Sequence, residues 1–288
     1  MSRASHFVLN TGAKIPSLGL GTWRSTDKEV HDAVLTALNC GYRHIDTAAI
    51  YGNEFHVGRG IKSSSVPRSD IFLTTKLWNS KQMGDSPPRA LDASLELLGV
   101  DYVDLYLMHW PVPLTKAGVP IPPTEWDFVK TWKSMEKLVE TGKTKAIGVS
   151  NFTVSQLKTL LETADIIPAV NQVEMHPYLP QKALLDFAES KGIHITAYSP
   201  LGSAGGPLLQ EPLVHKIAAK HGMTAVQVLI AWAIQRGTSA IPKSVTPARI
   251  VSNFQEFVLE EEDIFALGSL DKNQRYVKPT WAPYFDVE

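Results

Sequence analysis

Short apolar or β-branched runs alternate along this chain with longer segments whose apolar residues recur at helical spacing. The strand-like runs are SLGLG (17–21), YRHID (42–46), IFLTTK (71–76), VDLYLMH (103–109), KAIGVS (145–150), AVNQVE (169–174), HITAYS (194–199) and TSAIP (238–242). Eight runs of this kind are the number that closes a parallel barrel, so the predicted fold is α/β, a single (β/α)8 TIM barrel domain spanning residues 1–288. Between the runs, DKEVHDAVLTALNCG (27–41) opens with an acidic first turn and stops at Gly41, as a helix should. PPRALDASLELLG (87–99) and TVSQLKTLLETA (153–164) follow the same rule. The leading FVLNTGAKIPS (7–17) alternates around Asn-Thr-Gly and predicts an N-terminal β-hairpin that caps one end of the barrel. A doubly wound open sheet is the competing architecture. Its dinucleotide-binding version needs G-x-G-x-x-G after the first strand, and GLGTWR (19–24) lacks the third glycine.

Composition narrows the partners. A net charge of -1 leaves no global basic field for nucleic acid, and small neutral or anionic ligands fit better. The one cysteine, Cys40, excludes an intrachain disulfide and suits a reducing cytoplasm. The longest apolar run, VLIAWAI (228–234), falls far short of the roughly 18 residues of a membrane span, and MSRASHFVLNTG has no signal-like apolar core. The expectation is a soluble, unprocessed, cytoplasmic monomer.

Active sites of such barrels lie at the C-terminal strand ends, where polar residues closing an apolar run stand out. Asp46 ends YRHID, Lys76 ends IFLTTK and His109 ends VDLYLMH, with Tyr51 in the loop after the first of them. Each alone has an ordinary reading: Asp46 as a helix cap, His109 as a satisfied core histidine, Lys76 with its amine in solvent. Together they say more, because a lysine charge near the barrel centre needs a partner and Asp46 stands on a neighbouring strand. A tyrosine beside that lysine should have its pKa lowered from about 10, making it a proton donor near neutral pH. A neutral His109 could hold a substrate oxygen in line with the donor. The chemistry is protonation of an oxygen gaining charge, as in carbonyl reduction.

Other strand ends offer ligands for a cofactor. Ser150 and Asn151 in GVSNF and Gln172 in NQVE carry the amide and hydroxyl groups that bond a carboxamide. After the eighth run, IPKSVTPAR places Lys243, Ser244, Thr246 and Arg249 where such barrels often bind phosphate.

The segments LGLGTW, GYRHIDTAAIYGNE, TTKLWN, DLYLMHWP, AIGVSNF, NQVEMHPY, AYSPLG and IPKSVTPARI, in this order along nearly the whole chain, closely resemble the aldo-keto reductase family. The resemblance implies a catalytic tetrad of Asp46, Tyr51, Lys76 and His109, with Tyr51 as general acid, Lys76 and Asp46 tuning it, and His109 orienting the carbonyl. It implies NADPH/NADP+ as cofactor, its nicotinamide against Ser150, Asn151 and Gln172 with Tyr198 on its face. It places the pyrophosphate near Ser199 and Leu201 in SPLGS, and the 2'-phosphate at Lys243, Ser244, Val245, Thr246 and Arg249. Gly21, Thr22, Trp23, Asp46 and Asn253 complete the implied cofactor set. Where many family members have a glutamate before that asparagine, this chain has Ser252, so an acidic adenine contact is missing.

The implied substrate is a small carbonyl compound, sugar-derived, 2-keto or aromatic, held by Trp23, Tyr51, Trp78, His109 and Trp110, with a C-terminal loop closing over it. Trp126 and Phe128, in the long segment PVPLTKAGVPIPPTEWDF (111–128), are candidates to reach the pocket, as are Trp281, Tyr284 and Phe285 in the tail. Both segments look shorter than in many vertebrate family members, which predicts a more open pocket. Two other functions fit parts of the pattern: a non-catalytic cofactor-binding protein of the same fold, and a barrel lyase using Lys76 as a Schiff-base nucleophile. No metal-ligand spacing is expected to matter.

Overall fold

The computed structural model describes residues 5–203 and 206–282. The hairpin strands are β1 (His6–Val8) and β2 (Lys14–Pro16). The barrel strands are β3 (Leu20–Gly21), β4 (His44–Asp46), β5 (Phe72–Leu77), β6 (Leu105–Met108), β7 (Ile147–Ser150), β8 (Val170–Glu174), β9 (His194–Tyr198) and β10 (Ser239–Ala240). They form one parallel eight-stranded sheet in chain order. It closes between β3 and β10 through Gly19 N–H to Ala240 O (2.9 Å), Ala240 N–H to Ser17 O (2.8 Å) and Gly21 N–H to Pro242 O (3.1 Å). All eight strand-like runs of the sequence are strands here.

Around the sheet run α1 (Asp27–Cys40), α2 (Glu54–Ser63), α3 (Ser86–Leu98), α4 (Phe128–Val139), α5 (Val154–Leu161), α6 (Lys182–Ser190), α7 (Pro212–His221), α8 (Ala225–Gln235), α9 (Pro247–Phe254) and α10 (Glu261–Gly268). Their ends follow local chemistry. α1 stops at Gly41, whose φ of 117° is open to glycine and closed to most side chains. Thr153 with Gln156 and Thr224 with Gln227 form reciprocal capping boxes at the starts of α5 and α8. The main core lies between sheet and helices, where Leu73, Tyr106, Ile147 and Val173 of the strands meet Val34, Leu91, Met135 and Leu157 of the helices. α8 contains the VLIAWAI run, and its burial on nearly all sides explains a segment apolar all round. Among the described residues no single helix is long and apolar enough to cross a membrane.

The hairpin is antiparallel, and its Ile15, with Leu9 in the turn, packs on Phe72, Leu105, Ala146, Ala169 and Val170. Most of these begin strands, so the hairpin plugs the N-terminal end of the barrel and leaves the C-terminal end for chemistry.

Helices α2 and α3 touch through Gly58, where an added Cβ would stand 2.1 Å from Leu98 O. The Gly58→Ala variant should therefore unfold at lower denaturant, by about 1–3 kcal/mol, with an unchanged slope. A midpoint equal to the wild type would mean that the two helices can part without cost.

Candidate active site

Parallel pairing brings the C-terminal strand ends to one mouth, around a cavity of about 270 Å3. Asp46, the last residue of β4, and Lys76, in β5, form a buried ion pair of 2.6 Å. The ammonium has three N–H groups and three partners: Asp46 Oδ1, Thr47 O at 2.8 Å and Tyr51 Oη at 3.4 Å. An ammonium can only donate, so the Tyr51 oxygen accepts and its own proton is left for another acceptor. The second Asp46 oxygen accepts from Gln172 Nε2 at 2.7 Å. Gln172 thus reaches the aspartate as well as lining the cavity.

Tyr51 ends a single 3-10 turn, Ala49–Tyr51, stopped by Gly52. The turn is fixed from behind by Asn53, whose amide donates to Thr22 O and Ser25 O and whose oxygen accepts from Thr47 Oγ1. Asn53 caps α2 and Glu54 begins it, yet both are buried. Glu54 accepts from Thr75 Oγ1 at 2.6 Å and Ser94 Oγ at 3.2 Å. Both Asn53 and Glu54 are polar residues at a helix start, and the packing of α2 against the strand turns them inward.

Burial works against both charges of the ion pair, pulling Lys76 below and Asp46 above their ordinary ranges, and each charge then supports the other. Tyr51 corrects the expectation from sequence. Its pKa is raised well above the usual phenol value, first because burial disfavours the phenolate and then because the Asp46 charge does so too. The lysine cation does not dominate, because its charge is already countered by Asp46. His109 is pushed well below its ordinary value by burial and by the Lys76 cation, so the ring is neutral. It stands edge-on to Tyr51 with ring centroids 5.8 Å apart, and its Nδ1 is buried without a hydrogen-bond partner.

Ser150, Asn151 and Tyr198 also line the cavity but are engaged with their neighbours. Ser150 Oγ donates to Gln172 O, Asn151 Nδ2 donates to His109 O, and Tyr198 Oη donates to Asn151 Oδ1 at 2.8 Å. Gly21, Thr22, Ser199 and Lys243 stand at the same wall. Leu201, Ser244, Val245, Thr246, Arg249 and Asn253 do not border this cavity. The last three belong to the cap, first turn and body of α9, which opens with Pro247. Neither Lys243 nor Arg249 has a salt bridge among the described residues, so a pair of cations lies beside the helix N-terminus. This donor set suits an anionic nucleotide. Ser252 holds α9 to α8, accepting from Gln227 Nε2 through its carbonyl and its hydroxyl.

Trp23, Trp78 and Trp110 line the cavity as expected, and Trp281 joins them, edge-on to Trp78 at 5.7 Å and to Trp110 at 5.3 Å. Trp126 and Phe128 do not reach it. Trp126 Nε1 donates to Thr131 Oγ1 and Phe128 packs on Phe152, so both serve the start of α4. Tyr284 and Phe285 lie outside the described residues. Ile50, Ile241, Val277 and Pro279 also line the cavity. Sequence reasoning missed them, although Ile50 is an apolar residue in an otherwise small and polar turn, which is a usable signal. Val277, Pro279 and Trp281 bring the C-terminal segment into the cavity lining.

A phenol beside a neutral imidazole, in a cavity that Lys243 also lines, fits a nucleotide-dependent oxidoreductase. The Aldo/keto reductase family model matches residues 17–272. An aldehyde reductase of Saccharomyces cerevisiae is 51% identical over 96% of this chain and 95% of its own, and a glycerol 2-dehydrogenase (NADP(+)) of the same yeast is 50% identical with the same coverages. The crystal structure of a Bombyx mori aldo-keto reductase in complex with NADP matches with a TM-score of 0.90 at 37% identity, over 96% of this chain and 95% of that one. The chain belongs to the aldo/keto reductase family and is an NADP-dependent oxidoreductase of carbonyl groups.

Because burial keeps the Tyr51 proton in place, the single-turnover rate of carbonyl reduction should stay flat as pH rises through 10.0, where an ordinary tyrosine would lose it. A decline centred below that pH, measured at saturating cofactor, would place the donor elsewhere.

Proposed function

We propose that this protein reduces small uncharged aldehydes and ketones to alcohols with NADPH, Tyr51 giving the proton to the carbonyl oxygen. The observation that carries this reading is the threefold commitment of the Lys76 ammonium, which makes the Tyr51 oxygen an acceptor and turns its proton outward. His109, neutral and lining the same cavity, donates a hydrogen bond to the same carbonyl oxygen and holds it near the phenol. Asp46 acts at one remove, holding Lys76 with Gln172 as its other partner. A buried, fully bonded ammonium is a poor amine nucleophile, which disfavours a Schiff-base mechanism.

NADPH, when bound, supplies the hydride. Tyr198, Ser150, Asn151 and Gln172 would hold its ring, and Lys243, Ser244, Thr246 and Arg249 its 2'-phosphate. The pocket of Trp23, Trp78, Trp110 and Trp281 sheds water and favours substrates with an apolar or aromatic body. The names of the two yeast proteins, an aldehyde reductase and a glycerol 2-dehydrogenase, keep both aromatic aldehydes and small hydroxylated carbonyls in the test panel.

Tyr51→Phe should lower kcat for such substrates by about 100- to 10,000-fold with little change in cofactor affinity. Near-normal turnover would remove Tyr51 as the donor. Arg249→Ala should weaken NADPH by about 10- to 100-fold, the size of one charge-assisted hydrogen bond, and leave NADH nearly unchanged. Equal losses for both cofactors, measured by fluorescence titration, would rule out 2'-phosphate recognition there.

A further inference from the structure

Of the NQVEMHPY stretch (171–178), the proposed reaction uses Gln172 and leaves the buried Glu174 and His176 without a role. Glu174 closes β8 with its side chain fully buried, and so does that of His176 two residues on. Glu174 Oε1 accepts from His176 Nε2 at 2.9 Å and from the backbone N–H of Tyr276 at 2.8 Å. Its Oε2 accepts from the backbone N–H of Val277 at 2.8 Å. The Tyr178 carbonyl accepts the backbone N–H of Lys272 at 3.2 Å and of Gln274 at 3.0 Å. The His176 ring also packs on Tyr276 at 5.3 Å.

The tail from Leu270 onward has no helix or strand among its described residues. Its amides at 272, 274, 276 and 277 are therefore bonded to the stretch that follows the sixth barrel strand, β8. Directly beyond the last of these bonds come the residues that cover the cavity: Val277 itself, Pro279 and Trp281.

We propose that Glu174 is a positioning residue that sets the place of the C-terminal segment over the substrate cavity, and so decides which carbonyl compounds are accepted without touching them. The inference rests on the carbonyl-reductase reading for its consequence, though not for the anchor itself. A buried carboxylate is costly unless its lone pairs are filled, and here they are filled by the segment it holds. Burial raises the Glu174 pKa, but the His176 bond and the two tail amides outweigh it, so the carboxyl stays below its ordinary range. A glutamine of the same shape keeps one acceptor and turns an N–H toward a donor, so one side of the anchor must open.

The test uses the NADP-loaded full chain. Lys272 and Arg275 put trypsin sites inside the segment, whereas Pro279 protects the bond after Lys278. Glu174→Gln should speed cleavage after Lys272 and Arg275 by about 10- to 100-fold, as expected for loss of a charge-assisted hydrogen bond, while the barrel stays intact. Val277→Pro removes one of the same bonds from the tail side, leaves the barrel residues and both trypsin sites untouched, and should act in the same direction on cleavage. In steady state, KM for 4-nitrobenzaldehyde should rise about tenfold in Glu174→Gln, with glyceraldehyde turnover changed by no more than about twofold. In a Trp281→Ala background the Glu174→Gln effect on KM should vanish, because both act through one segment. Unchanged cleavage in both variants, or equal losses on both aldehydes, would overturn the proposal. If the wild type reduced no carbonyl compound, the proposed function would fall while the cleavage rates still decided the anchor.

Discussion

The ion pair of Lys76 with Asp46 is the constraint around which the mouth of this barrel is organised. Two opposite charges out of water are costly, and the cost is recovered only if the remaining donors and acceptors are filled. Here Thr47 O, Tyr51 Oη and Gln172 Nε2 fill them. The same bonds that compensate the charges also fix the phenol and the aspartate in relation to one another. Pre-organisation of the donor and compensation of the buried charge are therefore one set of contacts, and burial, joined by the cation next door, keeps His109 neutral.

The barrel makes that economy possible because parallel strands end side by side. Asp46, Lys76, His109, Ser150, Gln172 and Tyr198 come from strands that are successive in the sheet, each within two residues of its strand's C-terminal end. The hairpin plugs the other end, and the extended tail, bonded to Glu174 and Tyr178, covers this one. Binding surface is thus divided between a rigid floor of strand ends and a cover held by a few backbone hydrogen bonds. Such a cover can change shape between related chains without disturbing the floor.

Much of this was legible in the residues. The eight strand runs, the Gly41 helix stop and the hairpin could be read from period and turn chemistry, because those signals are local. Asp46, Lys76 and His109 stood out as charged or polar closures of apolar runs. Trp126 misled because an aromatic residue in a long loop after a catalytic strand resembles a pocket residue, whereas its indole N–H is used to brace the start of α4. Tyr51 misled in another way: proximity to a lysine lowers a phenol's pKa only if that lysine is not already neutralised and the phenol is not buried.

By itself the sequence determined the barrel, the strand-end places of Asp46, Lys76 and His109 and the position of the two cations before and within α9, since each depends on a spacing along the chain. Only the tertiary structure decided that Gln172 bonds Asp46 across the mouth, 126 residues away in sequence, and that Glu174 ties down amides 102 and 103 residues beyond it. Only it could bring the Tyr51 oxygen to the Lys76 ammonium and bury the phenol so that its pKa rises. Protonation, desolvation and the placing of an irregular tail depend on what closes in from distant parts of the chain, and no local pattern encodes that.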